Sequence, residues 1–154
     1  GATRAASVRA GLAAVPDDAA VVCVHDAARP FADTAVFAAV IAAVRDGADG
    51  AVPGVAVTDT VKVVTELTDG VRDVVSTPTR SSLVAVQTPQ AFDAAVLRRV
   101  HDTDAHDEAT DDASMVEAAG GRVVVVAGDP LYRKITTPED LAWARGIVTG
   151  GGMR

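Results

Sequence analysis

The apolar positions of this chain follow two rhythms. Short unbroken runs of valine read as strands covered on both faces, and longer stretches with apolar residues three or four apart read as amphipathic helices. The clearest run is Val21-Val22-Cys23-Val24, which leads straight into His25-Asp26-Ala27-Ala28-Arg29-Pro30. It predicts a central strand with Cys23 buried. Before it, Val8, Leu12 and Val15 lie at i, i+4 and i+7 and predict a short helix, ended by Pro16 and Asp17-Asp18. Ser7 suits a cap for that helix. After the strand, Asp33 or Thr34 caps a helix with Val36, Val40 and Val44 on one face, Phe37 and Ile41 beside them, and Gly47 as its stop.

Ala51 to Val57 reads as a second strand, in which Pro53-Gly54 argues for an edge or a bulge. From Asp59 to Arg80 the pattern changes. Val61, Val63 and Val64 lead to Thr68-Asp69-Gly70, and Val71, Val74 and Val75 lead away, which predicts a β-hairpin. Its alternation is imperfect and charges stud both sides, so it must gain stability by packing on something else. Ser82 to Val86 predicts a strand, and Phe92, Val96 and Val100 a helix. His101 to Ala109 reads as a polar, acidic loop, where the spacing of His101 and His106 beside Asp107 and Glu108 favours a solvated segment over a metal site. Thr110 suits the cap of the next helix, with Asp111 and Asp112 in its first turn and Met115, Val116 and Ala119 inward. Val123 to Val126 follows as a strand, and Arg133 to Thr136 as an extended piece. Thr137-Pro138-Glu139-Asp140 opens a last helix, buried through Leu141, Ala144 and Val148. Residues 150–154 should form a flexible tail.

Strands alternating with helices give an α/β class. The expected architecture is one domain over residues 1–149, a doubly wound and mostly parallel sheet, with a protruding hairpin arm at 59–80. Composition refines this picture. Of 154 residues 49% are hydrophobic but only 3% aromatic, so the core must be Val, Ala, Leu and Ile. A net charge of −7 argues against nucleic-acid binding, although a nucleotide substrate needs only a few local cations and a metal. The single cysteine excludes an intramolecular disulfide. No run approaches transmembrane length and no signal peptide is visible, so no membrane partner and a cytoplasmic location are the default expectations.

The candidate chemistry sits at the end of the first strand. His25, Asp26 and Arg29 fall where open α/β sheets place their ligands, and Ala27 and Ala28 leave the backbone approachable. A surface Asp–Arg pair of little energetic worth is the competing reading. The other charged and hydroxyl residues gather in short strings: Asp59-Thr60-Val61-Lys62, Thr88-Pro89-Gln90, Thr110-Asp111-Asp112-Ala113-Ser114 and Lys134-Ile135-Thr136.

Together with His25-Asp26-Ala27-Ala28-Arg29-Pro30, these strings resemble, in order, the signature of the 2-C-methyl-D-erythritol 4-phosphate cytidylyltransferases of the non-mevalonate isoprenoid pathway. The resemblance runs from Arg4-Ala5-Ala6-Ser7-Val8 to about Val148. It implies a Rossmann-like nucleotidyltransferase fold and transfer of a cytidylyl group from CTP to 2-C-methyl-D-erythritol 4-phosphate, with pyrophosphate leaving. It further implies a divalent cation, Mg²⁺ first, and a homodimer formed through the arm. By the same resemblance Ser7, Asp26, Ala27 and Arg29 bind nucleotide, and Asp26 also serves the metal. Arg80 and Lys134 position the sugar phosphate, and Thr60 and Thr110 offer hydroxyls. Lys62 reads equally well as a solvated charge or a ligand. The family begins with a strand and a Gly-rich loop that holds the triphosphate, and nothing here matches that loop. The first βα unit is therefore expected to be missing, and this chain alone is expected not to turn over CTP. A related sugar-phosphate nucleotidyltransferase and a non-enzymatic dimerising remnant are the other two readings. A screen of nucleotides and sugar phosphates separates the first, and the genomic sequence upstream of Gly1 the second.

Overall fold

The computed structural model describes residues 3–102 and 111–150. Its strands, in chain order, are β1 (Val21–Val24), β2 (Gly50–Ala56), β3 (Val63–Val64), β4 (Val74–Ser76), β5 (Val84–Val86), β6 (Gln90–Asp93) and β7 (Val123–Ala127). Its helices are α1 (Arg4–Leu12), α2 (Thr34–Arg45), α3 (Ala94–His101), α4 (Asp112–Ala118) and α5 (Pro138–Thr149).

The sheet is not the mostly parallel one expected. Among the described strands, β6 lies between β1 and β2 and is antiparallel to both; β5 is antiparallel to β2, and only β7 pairs with β2 in parallel. The reason lies in the arm. The α2 crossover leaves β1 and β2 pointing the same way, as α/β alternation requires. The chain then leaves β2 into the arm and comes back along β2's own edge. A return without a crossover has to be antiparallel. β5 takes the Gly54–Ala56 end of that edge and β6 the Gly50–Ala51 end. β6 escapes a reading by pattern because it is short, half polar and without alternation. Phe92, expected in a helix, is fully buried in β6, and α3 begins only at Ala94 with Asp93 as its cap.

Two further strand expectations change. β1 pairs only with β6 among the described strands, so it lies at an edge, and Cys23 is half-buried rather than buried. Burial still raises the Cys23 thiol above its ordinary value. A valine run reports apolar cover on the two faces, which β1 has; it does not report neighbours at both edges. Conversely, Pro53 sits inside β2, which is paired on both edges. Its carbonyl accepts from the Gln87 N–H at 2.8 Å, opposite the break between β5 and β6. N and O of one strand residue point to the same edge, so the proline lies where no ladder donor is demanded.

Adjacent residues point to opposite faces, and helices cover both. Val52 and Phe92 pack with Leu97, Val100, Met115 and Val116 from α3 and α4. Ala51 and Ala91 pack with Val40 and Val44 from α2. The arm carries no such cover. β3 and β4 meet through a turn with Asp69 at φ 51° and Gly70 at φ 79°, the left-handed pair that a two-residue hairpin loop needs. Leu67, Val71, Val74 and Val75 stay 58–65% exposed.

Helix caps decide the remaining elements. Asp33 caps α2 through the Val36 N–H at 3.0 Å. Thr3, not Ser7, caps α1; the Ser7 hydroxyl donates back to the Thr3 carbonyl inside the helix. Thr110 lies outside the described residues, as do His106, Asp107 and Glu108, and α4 is capped by Asp111 through the Ser114 N–H at 2.9 Å. His101 is not in a loop but closes α3, buried, and Ala119 is exposed. In α5 only Ala144 of the expected face is buried; Leu141 and Val148 are 41% and 72% exposed. The helix is anchored instead by Trp143, edge-on to Phe31 at 5.6 Å.

Asp140 completes the Thr137 capping box and forms an ion pair with Arg133. Hydrogen bonds from the Thr136 and Thr137 backbone hold its carboxyl well below the usual carboxylate range. A depressed pKa contributes stability above the ordinary carboxylate value, and that stability is lost as pH falls below about 4. Asp140→Asn should therefore lower Tm at neutral pH and flatten the acid limb, the two Tm curves drawing together progressively as pH falls from about 4. Parallel curves across that window would contradict the assignment.

Candidate active site

The site is assembled at the carboxyl end of β1. Asp26 is the second residue after the strand and its N–H donates to Thr88 Oγ1 at 3.0 Å. Thr88 Oγ1 also lies 2.9 Å from His25 Nδ1. Thr88 Oγ1 therefore ties the Asp26 backbone and the His25 ring together at the strand end. His25 is held from the other side by Phe37, with ring centroids 5.3 Å apart. The turn after β1 is closed by the Arg29 N–H on the Asp26 carbonyl at 2.9 Å.

A second segment docks on this turn. The Ile135 N–H donates to the Ala28 carbonyl at 2.8 Å, which brings the preceding residue, Lys134, over Asp26. Lys134 Nζ lies 2.9 Å from Asp26 Oδ2, and Arg29 Nε lies 3.7 Å from the same oxygen. Arg29 is steadied by a hydrogen bond from Nη1 to the Tyr132 carbonyl at 2.8 Å. Burial, helped by a hydrogen bond to Asp33, pushes the Tyr132 hydroxyl to about 12, so it stays protonated there. One carboxylate between two cations leaves the site net positive. The Asp26 side chain is 25% exposed, and pairs so open to water contribute only about 0–1 kcal/mol of stability. Stability alone does not account for the arrangement.

The cavity at this point has a volume of about 210 Å³. Asp26, Arg29 and Lys134, predicted from sequence, line it together with Arg4, Thr88 and Gln90. Gln87 and Asp111 complete its polar wall, Gln87 braced by Asp129 and Asp111 accepting from Gln90 Nε2 at 3.2 Å. Ser7 is not in this cavity. It lines a second one of about 350 Å³ with Val8, Leu12, β1 and His25. Ala27 is exposed on the turn. Thr60 and Arg80 are exposed at the base of the arm, where Arg80 Nη1 donates to the Thr58 carbonyl at 2.9 Å. Lys62 Nζ donates across the arm to Thr77 Oγ1 at 2.7 Å. Thr110 lies outside the described residues.

Among the described residues no group of three or more His, Cys, Asp or Glu side chains could hold a metal ion. The donor set suits a weaker demand. Mg²⁺ keeps most of its waters and takes one or two carboxylates plus substrate phosphates, and Asp26 supplies one hard, partly exposed carboxylate beside a phosphate-sized cavity. Among the described residues no helix is long and apolar enough to cross a membrane.

A mixed α/β sheet that gathers cations and a carboxylate at its strand ends, with an antiparallel hairpin arm, is a Rossmann-like nucleotidyltransferase fold. Residues 1–150 match the model of the 2-C-methyl-D-erythritol 4-phosphate cytidylyltransferase family, and the chain belongs to that family. The bifunctional enzyme IspD/IspF of Nitratidesulfovibrio vulgaris is 53% identical over 144 residues, covering 92% of this chain and 35% of that protein. The 2-C-methyl-D-erythritol 4-phosphate cytidylyltransferase of Streptomyces coelicolor is 49% identical over 150 residues, covering 96% and 55%. Among solved structures, the 2-C-methyl-D-erythritol 4-phosphate cytidylyltransferase of Thermus thermophilus superposes with a TM-score of 0.81 at 36% identity, covering 96% of this chain and 70% of that one. The chain thus spans a third to a little over half the length of these two sequence relatives.

Proposed function

We propose that the protein carrying this chain joins CTP to 2-C-methyl-D-erythritol 4-phosphate in isoprenoid precursor biosynthesis, releasing pyrophosphate. The observation that carries the reading is the Asp26–Lys134–Arg29 cluster at the end of β1, in a chain of this family. An oxygen of the sugar phosphate attacks the α-phosphorus of CTP, and the bond to the β-phosphate oxygen breaks. Two anions must be brought together, so the chain's task is positioning and charge neutralisation. Lys134 holds the sugar phosphate. Arg29 keeps Asp26 oriented, and Asp26, which would hold Mg²⁺, meets the nucleotide phosphates. When bound, that ion neutralises charge on the phosphates. Ser7 and Ala27 face the nucleoside from α1 and the turn after β1, and Thr110 offers a hydroxyl to the sugar phosphate.

Arg80 and Thr60 do not line the cavity of their own chain. Two copies joined through their arms would cover the exposed apolar residues and bring these side chains to the partner's site. The test is pyrophosphate release by the complete protein with Mg²⁺. Release should require both substrates and fall when ATP, GTP or UTP replaces CTP. Release with CTP and an unrelated sugar phosphate, but none with methylerythritol phosphate, would sink the substrate assignment.

A further inference from the structure

Arg4 enters the substrate cavity from the first turn of α1, far in sequence from everything else there. Its Nη2 is 2.6 Å from Asp112 Oδ2, and Asp112 is fully buried at the start of α4. The other oxygen of that carboxylate, Oδ1, lies 2.9 Å from Nε2 of His101, whose side chain is 2% exposed at the end of α3. A carboxylate only accepts, so the His101 proton stands on Nε2 and points at Asp112. His101 Nδ1 has no hydrogen-bond partner among the described residues. Burial alone would raise the Asp112 carboxyl, but hydrogen bonds from His101 and Arg4 and their charges outweigh it and hold it below the ordinary range. The carboxylate is therefore charged and serves both neighbours.

Burying a carboxylate and a histidine in this way is expensive and gives little net stability compared with apolar packing. What it secures is direction. Arg4 is about a third exposed, and an arginine side chain left to itself samples many rotamers. With Asp112 fixed on one Nη, the planar guanidinium is oriented at the wall of the cavity that Lys134, Asp26 and Arg29 also line.

We propose that Arg4 binds a substrate phosphate in this cavity, and that Asp112 and His101 are positioning residues that hold its guanidinium in place. The proposal rests on the phosphate-binding reading of the cavity given above. The phosphate is either that of the nucleotide or that of the sugar phosphate. Calorimetric titrations of the complete protein with CTP, with methylerythritol phosphate and with inorganic phosphate separate the two. Arg4→Gln should weaken at least one of these about tenfold, and the substrate affected identifies the phosphate held. Asp112→Asn should weaken the same ligand, and the double variant should bind no worse than Arg4→Gln alone, since Asp112 acts only through Arg4. His101→Leu should weaken it as well, and His101→Gln, which keeps an N–H donor, should recover most of the loss. In steady state the change should fall on the KM of that substrate more than on kcat. If Asp112→Asn does not fold, as its melting curve would show, the Arg4 and His101 variants carry the same test. Wild-type affinity of Arg4→Gln for all three ligands would overturn the proposal, as would additive losses in the double variant or no binding of any of them by the wild type. A wild type that binds phosphate but never joins CTP to the sugar phosphate would refute the cytidylyl assignment and leave the Arg4 result standing.

Discussion

Replacing Asp26 by alanine in the complete protein should lower kcat by about 10²–10³-fold, the loss typical of removing one preorganised electrostatic group at a reacting phosphate. Among the described residues the Asp26 carboxylate is the group that Lys134 and Arg29 share. Without it Lys134 loses its 2.9 Å partner and Arg29 its 3.7 Å neighbour, although Nη1 of Arg29 keeps the Tyr132 carbonyl, and the charge of both is left for whichever substrate phosphate arrives first. Substrate binding should therefore survive, or tighten, while turnover collapses. The fold should hardly notice: the pair is a quarter exposed at Asp26 and nearly half exposed at Lys134, so the variant should lose no more than about 1 kcal/mol. Steady-state kinetics beside a melting curve checks both halves. A variant with wild-type kcat would remove Asp26 from the chemistry; one that melts early would make it a structural residue.

The second large effect concerns the arm. Arg80→Ala in the complete protein should raise the KM for the sugar phosphate and lower kcat by a combined factor of about 10² or more, with CTP binding nearly unchanged. Among the described residues the Arg80 guanidinium donates to the Thr58 carbonyl, 22 residues back, and Arg80 does not line the cavity. Its proposed work lies in the other subunit. Mixing inactive Arg80→Ala and Asp26→Ala proteins tests this, because a mixed dimer then holds one site with both defects and one with none. With free subunit exchange, half of the dimers are mixed and activity should return to about a quarter of the wild-type value. Proven mixed dimers without activity would mean that each subunit uses its own arm. Removing the apolar cover by Val71→Lys and Val75→Lys should give monomers in the same assay, since both positions are 65% exposed in the single chain.

What could be read from sequence was what neighbours within a few residues decide. Asp33 and Thr137 cap their helices, and Asp69-Gly70 turns the arm, because each outcome is set by groups two or three residues away. Asp26, Arg29 and Lys134 were legible for a different reason: they stand in recognisable strings, and the fold does bring them together. What was not legible depends on distant pairing. β6 owes its existence to β1 and β2, and nothing in Gln90-Ala91-Phe92-Asp93 announces a strand. The direction of the sheet followed from where the arm returns, which no periodicity encodes. Thr88 and Gln90 belong to a string that was seen, yet their place in the cavity comes from the β5–β6 break opposite Pro53. Arg4 meets Asp112 across 108 positions, and His101 looked like a loop residue until α3 was seen to bury it.

The direction of attack is the claim on which the functional account stands, and isotope position reads it. The sugar phosphate, carrying ¹⁸O in its terminal phosphate oxygens, is incubated with unlabelled CTP, Mg²⁺ and the complete protein, and the products are separated and weighed by mass spectrometry. The account predicts that all of the label stays in the diphosphate product, one labelled oxygen bridging the two phosphorus atoms, while the pyrophosphate is unlabelled. Label in the pyrophosphate, or pyrophosphate formed without any diphosphate product, would contradict it.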